Sequence, residues 1–88
     1  MTYDIDWSGP ARRAVASLPE KVATAAIEFI YSTMATNPHR AGHPLHFELE
    51  GLHSARRGDH RIVYRIDDYA HRVIIETIQH RSDVYRRG

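Results

Sequence analysis

A Gly58-Asp59 pair interrupts a run of strand-forming sequence and makes the chain double back on itself. A two-residue turn led by glycine, with β-type sequence on both sides, is a strong local hairpin signal. It predicts one strand over residues 52–57 and another over 60–66. The even spacing of Arg61 and Arg65 puts them on one face of the second strand, and Ile62, Tyr64 and Ile66 take the opposite, core-facing side. Arg56 and Arg57 stand across the turn from His60 and Arg61. Cationic side chains therefore gather around a single hairpin.

The rest of the chain arranges itself about that hairpin. Tyr3, Ile5 and Trp7 alternate with polar residues, a strand with one buried face. Ser8 suits a helix cap and Pro10 a first helical turn. Ala11, Ala14, Val15 and Leu18 share one helical face, and Pro19 ends that helix. Val22, Ala26, Phe29, Ile30 and Met34 recur at helical spacing in a second helix, closed by Asn37-Pro38. Residues 38–44 read as a loop. Leu45, Phe47 and Leu49 alternate with His46, Glu48 and Glu50 and predict a strand broken at Gly51. Asp67 to Ala70 turn the chain into a last strand over 72–79, whose Val73-Ile74-Ile75 run suits a strand covered on both faces. A basic tail follows. The expectation is a single α+β domain over residues 1–88: an N-terminal strand, an antiparallel helical hairpin, then an antiparallel β meander.

Composition narrows the function. A chain of 88 residues has a thin core and little room for a deep pocket, so its chemistry belongs on a surface or in a shallow groove. There is no cysteine, which excludes disulfides and cysteine-based zinc sites. His39, His43 and His46 are spaced four and three apart, but Pro38, Gly42 and Pro44 oppose a helix there, so neither a metal nor another cofactor is expected. No apolar run approaches the ~20 residues needed to span a bilayer, and no signal-peptide pattern opens the chain. A soluble cytoplasmic protein with no membrane partner is the expectation. The net charge is only +1, yet residues 51–88 hold eight arginines against five acids, and the chain has a single lysine, Lys21. Arginine makes planar, bidentate contacts with phosphate that lysine does not. For any one arginine a solvated strand edge is the simpler explanation; for the cluster, a phosphate-binding surface is the better one.

Such a group suits RNA cleavage without a metal. The 2′-hydroxyl attacks the adjacent phosphorus, and the reaction needs a base, an acid and positive charge around the phosphorane. Arginines supply the charge, and histidine titrates in the right range. Tyr85 is suited to stacking on a base.

The segments EGLHSARRGDHRIVYRIDD and VIIETIQHRSDVYRR resemble the RelE branch of the RelE/ParE toxin superfamily. The resemblance extends over nearly the whole chain, and its specific parts are the hairpin and the tail. It implies a RelE-like fold and a toxin that cleaves mRNA on the ribosome. Arg61 would stabilise the scissile phosphate, Arg81 would act on the leaving group or phosphate, Tyr85 would orient the attacked nucleotide, and His80 stands where some relatives keep an acid–base histidine. Arg56, Arg57, Arg65 and His53 would bind RNA. Some members carry lysines in the strand before the hairpin; Leu52, Ser54 and Arg56 occupy that region here. His53, His80 and Tyr85 remain the candidates for the base. The implied partners are an antitoxin protein, the ribosome and its mRNA, with DNA touched only through an antitoxin complex. A gyrase poison of the ParE type and a non-catalytic RNA- or protein-binding module are the rival functions.

Overall fold

The computed structural model describes residues 2–80. Its order is β1 (Asp4–Trp7), α1 (Gly9–Ala16), α2 (Glu20–Phe29), a π-helical turn (Ile30–Met34), α3 (Pro38–Ala41), β2 (His43–Pro44), a 3-10 turn (Phe47–Leu49), β3 (His53–Arg57), β4 (His60–Asp67) and β5 (Arg72–His80). The five strands form one sheet in the order β1-β5-β4-β3-β2. The four later strands form an antiparallel meander, as expected, but the first of them is not the segment that was expected. β1 pairs in parallel with β5, from Asp4 opposite Arg72 to Trp7 opposite Ile75.

The helix starts follow from local chemistry. The Ser8 side chain accepts a hydrogen bond from the Ala11 N–H at 3.1 Å, satisfying one of the N-terminal amides that no carbonyl can reach. Pro10 falls in the first turn, where its missing N–H costs nothing. Pro19 separates α1 from α2. Both helices lie on the same side of the sheet. Ala11, Ala26, Ile30 and Met34 meet Ala55, Ile62, Tyr64, Val73, Ile75 and Ile78 in a buried cluster, with Trp7 and Ile66 packed at its margin. Trp7 donates its indole N–H to the Tyr31 hydroxyl at 2.9 Å.

Tyr64 is the largest fully buried side chain, and its hydroxyl donates to the Pro38 carbonyl at 2.7 Å. Burial pushes its phenol up from 10.0 to about 12. The unfolded chain therefore loses this proton first as pH rises. The associated stability is intact below pH ~10 and drains towards pH ~12, on the order of 2 kcal/mol in all. Denaturation of Tyr64→Phe across that range should show a flatter alkaline decline than the unaltered chain, and an equal slope would refute the assignment.

Two expectations need correction. Residues 38–41 of the expected loop form one helical turn, because Pro38 presets the helical φ and is itself buried. Leu45, Phe47 and Leu49 do not make a strand. β2 is only His43–Pro44, and the chain then turns over at Phe47–Leu49, closed by the Leu45 N–H on the Leu52 carbonyl at 2.8 Å. Phe47 has φ +61 and is 93% exposed, so its backbone is strained, and among the described residues its ring meets little beyond the edge of the neighbouring His46 ring, 6.5 Å away. A left-handed conformation costs a non-glycine residue roughly 1–2 kcal/mol. Phe47→Gly should therefore raise unfolding stability by about 0.5–1 kcal/mol, after glycine's greater freedom in the unfolded chain is subtracted. Loss of stability on chemical denaturation would show that the ring packs somewhere.

Candidate nucleic-acid interface

β3 and β4 pair with Arg56 opposite Arg61, Ser54 opposite Val63 and Ala55 opposite Ile62. Ala55 and Ile62 enter the core, so Arg56 and Arg61 face the other way, onto the side of the sheet that none of the described helices covers. The turn between the strands has positive φ at Gly58 alone, at +62°, as a hairpin with glycine in first position requires. Like charges directly opposite one another destabilise an antiparallel pair. Neither guanidinium has a carboxylate partner among the described residues. An anion between them would remove the repulsion.

Arg65 continues the same face along β4. It lies close enough to Gly51 that a Cβ there would stand 3.4 Å from its guanidinium, and its Nε pairs with Glu76 Oε2 at 3.3 Å. β5 contributes Gln79 opposite Arg61 and Thr77 opposite Val63. At the β1 edge Arg72 holds Asp6 at 2.9 Å. This last pair is about half exposed and worth up to about 1 kcal/mol.

The structure puts Arg56, Arg61 and Arg65 on one face of the sheet and Arg57, His53 and His80 on the other. Arg57 turns to the helix side, where its guanidinium stands 5.5 Å from the centre of the Phe29 ring. Together with Lys21, Val22, Ala25, His60 and Ile62 it lines a groove of about 360 Å³. His53 packs against Tyr64, with ring centres 5.5 Å apart, also on the helix side. Its pKa is lowered, first by burial and then by nearby His39, and its buried Nδ1 has no hydrogen-bond partner among the described residues. His80 pairs across the strands with His60, ring centres 5.0 Å apart. His60 alternates with Arg61, so the two histidines occupy the face away from the arginine pair. Arg81 and Tyr85 lie outside the described residues.

A second polar cluster sits at the β4–β5 turn. Asp68 accepts hydrogen bonds from the Tyr3 hydroxyl at 2.6 Å and from His39 Nε2 at 2.9 Å. These hold its carboxyl below the ordinary range, the Tyr3 bond contributing most and the His39 bond next. The cluster ties the start of the chain and α3 to the turn, so its role is structural. Sequence reasoning passed over Glu76, which reaches the arginine face through a β-bulge. Its only sequence signal was an acid directly after the apolar run Val73-Ile74-Ile75.

Comparison with known proteins decides the family. A model described as the ParE toxin of a type II toxin–antitoxin system, parDE, matches residues 5–85. The chain belongs to the RelE/ParE toxin family. The toxin is 52% identical over 84 residues to Toxin RelE of Mycobacterium tuberculosis, covering 96% of this chain and 87% of that one. It is 42% identical over 87 residues to Toxin RelG of the same organism, covering 99% and 100%. Among solved structures, the toxin–antitoxin complex RelBE2 of M. tuberculosis superposes with a TM-score of 0.88 at 40% identity, over 92% of this toxin and 100% of that chain. The isolated E. coli RelE toxin shares the fold, with a TM-score of 0.74 at 17% identity over 94% and 90%.

Proposed function

We propose that this toxin is an endoribonuclease that cuts mRNA on the ribosome and so stops translation. The observation that carries the reading is the pair Arg56 and Arg61, directly opposed on the open sheet face without a carboxylate between them among the described residues. The 2′-hydroxyl oxygen bonds to phosphorus as the P–O5′ bond breaks, leaving a 2′,3′-cyclic phosphate and a 5′-hydroxyl. Arg61 stabilises the charge that develops on the phosphorane oxygens, and Arg56 and Arg65 hold the neighbouring backbone phosphates. The family resemblance assigns Arg81 to the leaving group or phosphate and Tyr85 to the attacked nucleotide. The ribosome holds the mRNA in a reactive geometry, and positioning of that kind can lower a barrier by several kcal/mol.

A nuclease of translation has to be covered in its own cell. The RelBE2 relative was solved as a toxin–antitoxin complex, which supports a cognate antitoxin here as well. Acidic residues of such a partner complement the arginine face, and its apolar residues complement the groove beside α2. Contact with DNA would come through that complex.

The match to the ParE model favours a second reading, a poison of DNA gyrase. Expression of the toxin alone, with new 5′ ends mapped across cellular mRNAs within minutes, separates the two. Cuts inside coding regions in phase with codons are expected. Growth arrest with DNA damage and no such cuts would move the assignment to gyrase.

A further inference from the structure

We infer that Glu76 is the general base that takes the 2′-hydroxyl proton. The inference rests on the ribonuclease reading above. The arginine face needs a proton acceptor, and the strand histidines His53, His60 and His80 all lie on the helix side of the sheet. Glu76 is on the arginine face because the β4–β5 ladder slips there. Val63 pairs with Thr77 and Tyr64 with Ile75, so Glu76 is the extra residue of a bulge. A bulge turns two consecutive side chains towards one side, and bulges are frequent beside active sites, where they re-aim a residue. Here it delivers a carboxylate to the open face of a strand that otherwise runs Val73-Ile74-Ile75.

The bulge is held from outside the sheet. The Ser8 hydroxyl donates to the Glu76 carbonyl oxygen at 2.8 Å while accepting from Ala11, and the Ser8 N–H donates to the Ile75 carbonyl at 3.0 Å. The N-cap of α1 therefore fixes the backbone that aims Glu76. Arg65 Nε holds Oε2 at 3.3 Å, and Oε1 makes no hydrogen bond among the described residues. One oxygen is anchored and the other is open to a substrate proton. Along β5, Glu76 falls between the residue paired with Arg65 and the residue paired with Arg61, which sets the carboxylate within the arginine face.

The step balances without a co-reactant. Glu76 takes the proton as O2′ bonds to phosphorus. The electron pair of the breaking P–O5′ bond goes to O5′, which is protonated by water, and Glu76 returns its proton to solvent. Among the described residues, the charged groups on the face of Glu76 are Arg65 and Arg61 from β4, and the Arg72–Asp6 pair at the β1 edge.

Single-turnover cleavage of mRNA on programmed ribosomes tests the role alongside ribosome affinity and the thermal midpoint. Glu76→Gln should cut about 100-fold or more slowly while binding within about threefold of the unaltered toxin. Glu76→Asp keeps a carboxylate and should recover about tenfold or more of that loss. Arg65→Ala removes the ion pair but leaves the carboxylate, and should cut about tenfold or more faster than Glu76→Gln. The assignment is overturned if Glu76→Gln cuts within about threefold of the unaltered toxin, or if Glu76→Asp and Arg65→Ala are both as slow as Glu76→Gln. Absence of cutting by the unaltered toxin would sink the ribonuclease reading itself, and the role of Glu76 with it.

Discussion

Arg61→Ala should abolish mRNA cleavage in practice, lowering the single-turnover rate on ribosomes by about 100- to 1000-fold while the fold stays intact. That is the usual cost of removing one preorganised group that meets transition-state charge. Arg61 is half-buried at the middle of the sheet, and its truncation relieves its repulsion with Arg56. The variant should therefore unfold no earlier than the parent, which allows comparison at equal folded concentration. Its ribosome affinity should fall far less than its rate, because Arg56 and Arg65 still meet backbone phosphates. Cleavage retained within tenfold would remove Arg61 from the reacting phosphate and transfer that role to the tail.

The largest stability effect is expected at Gly42. A Cβ there would meet the Ser54 carbonyl oxygen, the Ser54 carbonyl carbon at 2.8 Å and the Tyr64 hydroxyl at 2.7 Å. Two of these atoms are sheet backbone and the third belongs to a fully buried ring, so none of them swings aside. Gly42→Ala must push α3 away from β3, stretching the Tyr64–Pro38 hydrogen bond and opening the core above Tyr64. A cost of about 3 kcal/mol is expected, at the upper end for overpacking, which lowers the melting midpoint by roughly 12 °C or more in a domain of this size. Gly58 is the control. Nothing lies within 4 Å of its added Cβ, and only its φ of +62° is disturbed, so Gly58→Ala should cost about 1 kcal/mol. Equal effects at the two glycines in chemical denaturation would refute the steric argument.

The residues of the central hairpin were readable because their constraints are local. Gly58-Asp59 sets the turn, and alternation from Ile62 and Tyr64 sets which way Arg61 and Arg65 point. The same alternation separates Arg56 from Arg57, and His53 from Ser54. β3 is too polar to show which side is buried, so that division became legible only once the register with β4 was known. Leu45-Phe47-Leu49 misled because alternation reports a strand only if a partner strand is present, and the left-handed Phe47 turns the chain away first. Glu76 was hidden for a related reason. A bulge is a mismatch in residue count between two strands, and neither strand reveals it alone. The parallel pairing of β1 with β5 joins residues too distant for any local pattern to announce.

That pairing has a kinetic consequence. Asp4–Trp7 and Arg72–Ile75 come together only after nearly all the intervening chain has been gathered in, and contacts of such long range are made late and slowly. Ser8, which braces the backbone of Glu76, arrives with β1. The hairpin bearing Arg56 and Arg61 can form early, by itself, but the carboxylate opposite it is aimed only when the first strand docks. On the roles proposed above, a chain whose hairpin had formed before β1 docked would carry the cations without the base, able to hold RNA and unable to cut it.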